Sequence, residues 1–179
     1  MKESVRFVQM WFPFALAVVV FAPMLVEARR AAANERVQRA RGGVEAPGDV
    51  YAAMRLAYPG AFLAMIVEGG LRGRPSAVLV AAGAALFAFA KALKWWAIRS
   101  LGPAWTFRVI TVPGAPLVGR GPYAYLRHPN YLAVAGELVG VALMAGAAVA
   151  GPLAAIGFGG LMLWRIAVEE KALGRRRAR

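Results

Sequence analysis

The chain has no cysteine, and His128 is the single histidine in its 179 residues. Disulfides, thiolate metal sites and a cysteine nucleophile are excluded, and so is a metal site built from several histidines of one chain. The only serines are Ser4, Ser76 and Ser100, and none combines with the histidine and a carboxylate in the pattern of a hydrolase triad. Acidic residues number nine against 22 lysines and arginines, for a net charge of +13. The basic residues are not interleaved with aromatics along a polar face, so no nucleic-acid partner is expected. A glycine-rich strand–turn–helix is also missing, which removes a Rossmann nucleotide site. There is no internal repeat.

Apolar sequence is what the chain has in excess. Hydrophobic residues make up 60% of it and mean hydropathy is +0.54. The charges cluster between long apolar runs, as they do in membrane proteins. The expected fold is an all-α integral membrane protein of about five transmembrane helices. It forms one domain over residues 1–179, with an irregular interfacial segment before the fourth helix.

The first run, residues 7–26, carries no charge and is long enough to cross a bilayer core of roughly 30 Å. Arg29-Arg30 follows directly as a stop-transfer flank, so a retained helix is expected rather than a cleaved signal peptide. Residues 31–41 have helix-forming composition and extend it into solvent until Gly42-Gly43. The second run, 50–67, contains Arg55 and a Tyr58-Pro59-Gly60 break or kink. Ser76 is placed to cap the third run, 77–93, which continues through Lys94-Trp95-Trp96-Ala97-Ile98-Arg99. Paired tryptophans beside lysine and arginine mark a water–lipid boundary. Residues 101–117 are broken by five glycines and prolines around a β-like stretch, suggesting an irregular segment with one hairpin-like turn. The fourth run is 130–144 with Glu137 inside it, and the fifth begins at 153 and emerges through Trp164-Arg165 to Leu173.

Five crossings place 17 of the 22 lysines and arginines on one side and four on the other, with Arg55 between. The positive-inside rule puts the richer side in the cytosol, with the N-terminus outside. Residues 119–131 and the 165–170 segment then share the cytosolic face of the cell inner membrane.

Three groups of residues are candidates for chemistry. In Arg127-His128-Pro129-Asn130-Tyr131, Pro129 suits a helix start, whose free N–H groups and dipole favour an anion. Arg127 and His128 add donors, and Tyr123, Tyr125 and Tyr131 offer rings for stacking. The plainer reading is an interfacial histidine capping a helix. Arg165, Glu169 and Glu170 form the second group. Arg165 and Glu169 share a helix face and suit an i,i+4 ion pair worth roughly 0.2–0.5 kcal/mol. Acidic groups near a helix C-terminus oppose its dipole, however, which favours a functional role. Glu137 is the third candidate. It is either an intramembrane functional group or an interhelical contact, and Gly136 and Gly140 beside it permit close helix packing.

Gly121-Pro122-Tyr123, Arg127-His128-Pro129-Asn130-Tyr131, and Arg165-Ile166 with Glu169-Glu170-Lys171-Ala172-Leu173 together resemble the isoprenylcysteine carboxyl methyltransferase family. Trp96 to Gly102, Trp105-Thr106, Val112-Pro113-Gly114, Asn34-Glu35-Arg36 and Gly42-Gly43-Val44-Glu45 resemble a bacterial branch. That branch includes O-methyltransferases of alkylpyrones and alkylresorcinols. Where many members have a glycine two residues after the RHPxY tyrosine, this chain has Ala133.

The resemblance implies an S-adenosylmethionine-dependent methyltransferase whose cofactor half spans about 95–179. Tyr123, Arg127, His128, Pro129, Tyr131, Leu132, Glu169 and Glu170 would hold the cofactor. Arg165 would face the methyl-accepting end of the substrate, and Glu169 is the nearest general base for an acceptor that needs one. The partners implied are membrane lipid and a lipophilic small molecule that enters sideways from the bilayer. A non-enzymatic scaffold or transporter and an NADPH-dependent membrane reductase are the alternatives.

Overall fold

The structure is a computed structural model that describes residues 2–73 and 75–174, with side chains described from residue 11 on. Arg74 and the end of the basic tail, 175–179, lie outside the described residues. Among the described residues there are five α-helices: α1 Lys2–Ala40, α2 Tyr51–Arg72, α3 Ala77–Leu101, α4 Pro129–Ala145 and α5 Ala150–Ala172. Among the described residues, three segments are long and apolar enough to cross a membrane: Trp11–Ala40, Ala77–Ala104 and Ala150–Ala172. α4 is apolar but has 17 residues. α2 has 22 residues but carries Arg55, Glu68 and Arg72. Large apolar side chains such as Leu63, Phe89, Ile156 and Leu163 face outward, as the lipid-facing surface of an integral membrane protein requires.

The helix limits follow local signals. Ser76 accepts a hydrogen bond from the Leu79 N–H at 3.4 Å and caps α3. α1 runs on to Ala40, just before Gly42-Gly43. Pro59 does not break α2, which is continuous from Tyr51 to Arg72. The turn before α5 is fixed from another helix. Glu68 of α2 accepts from the Val149 N–H at 3.0 Å and the Ala150 N–H at 2.6 Å. A carboxylate there satisfies free donors and complements the helix dipole.

α3 and α4 form the tightest pair. A Cβ at Gly140 would come within 2.9 Å of the Gly83 carbonyl oxygen, and one at Gly83 within 2.6 Å of the Gly140 oxygen. Only glycine lets the two backbones approach so closely. The apolar core between helices is built on Phe62, Met65, Phe87, Leu138, Val141 and Phe158.

The irregular segment does not fold on itself as a hairpin. Its β2 (Ile110–Thr111) pairs antiparallel with β1 (Val44–Glu45), Val44 opposite Thr111 and Glu45 opposite Ile110. The partner of the β-like stretch is thus the loop after α1, more than 60 residues away. Arg108 ties the same two segments, with Nη1 at 2.6 Å from the Glu45 carboxylate. Burial pushes the Glu45 carboxyl up, but hydrogen bonds from Arg39 and Arg108 outweigh that and hold it below its ordinary value.

Candidate active site

The irregular segment is anchored before it reaches the site. The Asn34 amide of α1 donates to the carbonyls of Trp105 at 2.7 Å and Gly102 at 3.1 Å. The buried Trp105 indole N–H then donates to Asn130 Oδ1 at 3.2 Å. Asn34, Trp105 and Asn130 are far apart in sequence and act together to seat the start of α4. A 3-10 turn, Gly121–Ala124, precedes that start. Gly121 has φ of +61°, and a Cβ there would run into the Ser100 side chain. The turn sets Tyr123 on the wall of a cavity between the helices and the irregular segment.

That cavity has a volume of about 520 Å³. One end is lined by Tyr123, Arg127, His128, Tyr131, Arg165 and Glu169, and its deeper walls by Met24, Met54, Val134 and Phe158. The two sequence groups meet at the first end. The His128 Nε2 lies 3.2 Å from a Glu170 carboxylate oxygen. The Tyr131 hydroxyl donates to Glu169 Oε2 at 2.8 Å and accepts from Arg165 Nε at 3.0 Å. Instead of pairing directly, Arg165 and Glu169 are joined through this hydroxyl. Burial and the Glu169 carboxylate push the Tyr123 phenol up, so it stays protonated at neutral pH.

Other expectations change in place. The Tyr131 and Leu132 N–H groups both bond to the His128 carbonyl, at 3.2 and 3.3 Å. Pro129 has no N–H, so the Asn130 N–H alone is left as a first-turn donor for an anion. Pro129 is buried beneath the site, while Leu132 faces outward at 56% exposure and does not line the cavity. Tyr125 is 83% exposed and also lies off the cavity.

Sequence reasoning missed two groups. Arg165 Nη1 lies 2.7 Å from Asp49 Oδ1, and Nη2 donates to the Phe107 carbonyl. The second group lies deeper, where Glu27, Lys91, Lys94 and Glu137 form an ion cluster with Tyr58. Lys91 Nζ is 2.8 Å from Glu27 and 3.2 Å from Glu137. Lys94 Nζ is 2.9 Å from Glu27 and 3.2 Å from Glu137, donating to Glu137 Oε2. The Tyr58 hydroxyl donates to the same Glu137 oxygen. Glu137 is therefore an interhelical contact in a charge-balanced cluster. Glu27, Lys94 and Tyr58 also line the deep end of the cavity. Tyr58 stacks on Phe158 at 5.0 Å, seven residues before Arg165. At the helical rise, the cluster sits about 10 Å below Arg165.

Fold and cavity define an integral membrane protein with a chamber that is polar at one end and mostly apolar along its deeper walls. The sequence model of the isoprenylcysteine carboxyl methyltransferase family matches residues 83–175. A relative from Bacillus subtilis (strain 168), the uncharacterized protein YpbQ, is 31% identical over 163 residues, 91% of this chain and 95% of that one. No solved structure matches the chain. The chain belongs to the isoprenylcysteine carboxyl methyltransferase family, which makes it a membrane methyltransferase by class.

Proposed function

We propose that this protein is a membrane O-methyltransferase that uses S-adenosylmethionine to methylate a carboxylate, enol or phenol oxygen of a lipophilic substrate. The observation that carries the reading is the Arg165–Tyr131–Glu169 hydrogen-bonded relay, set where polar residues give way to apolar cavity walls. The donor set fits the cofactor's chemistry. Arg127, His128 and the Asn130 N–H suit its carboxylate, Glu169 and Glu170 its ammonium, and Tyr123 and Tyr131 its flat base. The cavity volume lies within the range of small-molecule sites, about 300–1,000 Å³. Pro129 serves by starting α4, and Leu132 has no contact role.

When bound, the cofactor would supply an activated methyl group to the acceptor oxygen, its carbon–sulfur bond breaking as the new carbon–oxygen bond forms. A carboxylate acceptor has no proton to lose. An enol or phenol proton passes to the Glu169 carboxylate, the nearest base to the relay. Positioning supplies much of the rate in such an in-line displacement.

The mostly apolar deeper walls, interrupted by the charge-balanced Glu27–Lys94 pair, suit a lipophilic substrate that enters sideways from the bilayer. The charge bias puts the cofactor end at the cytosolic face of the inner membrane, with the N-terminus outside. Lys91 and Lys94 are inside the bundle and leave that count, yet the bias stays large.

Calorimetry on the purified protein tests the cofactor assignment. S-adenosylmethionine is expected to bind with a Kd on the order of micromolar to 100 µM, the scale on which enzymes meet their substrates, and NADPH is expected not to bind. Binding of NADPH alone would make the protein a reductase, and binding of neither would leave a scaffold or transporter.

A further inference from the structure

Asp49 lies in the short connection between β1 and α2, outside the segment matched by the family. Its side chain is 2% exposed. Both of its oxygens are engaged. Oδ1 takes the Arg165 Nη1–H at 2.7 Å and the Tyr51 N–H at 3.1 Å, and Oδ2 takes the Val109 N–H at 2.8 Å. Asp49 is thus rigid before it meets Arg165, because two backbone donors from different segments hold it.

Arg165 is fixed in turn. A guanidinium carries five N–H groups. Here one goes to Tyr131, one to Asp49 and one to the Phe107 carbonyl. Two remain, on a side chain that lines the cavity. Three anchors from three segments choose which edge of the guanidinium is left open. The pairing also settles charge. Arg165 is 7% exposed, and the Asp49 carboxylate cancels its charge. Arg108, another cation on the cavity lining, is paired with Glu45 and Glu35.

We propose that Asp49 is a positioning residue for methyl transfer: it aims the two open Arg165 N–H groups at the acceptor oxygen and keeps that end of the cavity charge-balanced. The proposal rests on the methyltransferase reading above. Asp49 does not itself line the cavity, so it acts through the groups it holds, and Arg165 is the charged one among them.

Asp49→Asn offers one acceptor oxygen where the carboxylate offers two, and removes the charge. Its turnover number is expected to fall about 10–100-fold, the scale of a roughly 1 Å misplacement. The KM for the acceptor and the Kd for S-adenosylmethionine are expected to stay within about threefold of the parent, because Asp49 touches neither. The newly uncompensated Arg165 is expected to bind anions, so decanoate should inhibit or bind about tenfold more strongly than in the parent, by analogy with lost charge pairing in a buried site. Unchanged turnover, or a fall in turnover that tracks lost cofactor binding with no gain in decanoate affinity, would overturn the proposal. If Asp49→Asn does not give a cooperative melt, Asp49→Glu takes its place. It keeps the charge and moves it, so reduced turnover with decanoate affinity at the parent level is expected, and parental turnover would count against the proposal. If the parent protein transfers no methyl group, the methyltransferase reading fails instead, while the decanoate comparison still decides whether Asp49 balances Arg165.

Discussion

Replacing Glu169 by glutamine lowers methyl transfer by about 100-fold or more, the usual contribution of a positioned acid–base group. Glutamine keeps the length of the side chain and can still accept from the Tyr131 hydroxyl, now at 2.8 Å from Glu169. The relay to Arg165 therefore persists in shape. What is lost is the negative charge, which in the proposed site faces the cofactor ammonium and receives the acceptor proton. A charged hydrogen bond is worth about 1.5–3 kcal/mol, so cofactor affinity falls by one to two orders of magnitude along with turnover. His128→Ala tests the other half of the site. It removes the partner of Glu170 and is expected to weaken cofactor binding about tenfold, consistent with the loss of one charge-assisted contact. Initial rates and calorimetry on both variants check these values. If both keep full methyl transfer, the assignment of this site is wrong.

Lys94→Met destabilises the protein by about 3–5 kcal/mol, the cost of breaking a buried ion pair from one side. Lys94 is 3% exposed and bridges Glu27 and Glu137, each 1% exposed. Without it, two carboxylates share Lys91 alone, one negative charge too many for a buried cluster. Methionine matches the lysine stem in length, so packing loss is small and charge dominates. The double variant Lys94→Met with Glu137→Gln leaves Glu27 paired with Lys91 and restores balance. It is expected to recover most of the lost stability, since neutral replacement of buried pairs is often tolerated. Thermal unfolding in detergent reads both. Equal melting temperatures for the single and double variants would show that the cluster does not act as a balanced unit.

Much of the architecture was legible in the sequence because its signals are local. The apolar runs gave all five helices, Ser76 gave the α3 cap, and Gly136 and Gly140 marked the close face of α4. The two halves of the site were visible as motifs, and the fold brings His128 to Glu170 and Tyr131 to Glu169.

What escaped were pairings between distant segments. Lys94 adjoins Trp95-Trp96, which drew it to the membrane boundary. But residues two apart on a helix point roughly 200° apart, and Trp96 faces out while Lys94 faces in. Glu27 directly follows the first apolar run, yet α1 continues past it as helix and carries it into the bundle. Asp49 and Arg165 are 116 residues apart. No periodicity connects them, and only the β1–β2 pairing brings the first loop over the site. The expected Arg165–Glu169 pair was plausible from spacing alone and lost to a stronger, buried partner.

The most direct test of the central claim is label transfer. The purified protein is given S-adenosylmethionine labelled in its methyl group, together with a total lipid extract of its own host, and the organic phase is counted and weighed by mass spectrometry. A labelled lipid one CH₂ heavier than a component of the extract is the predicted result, and its methyl group is expected on oxygen. Label that stays wholly in the aqueous phase, from a protein shown to bind the cofactor, would contradict the account.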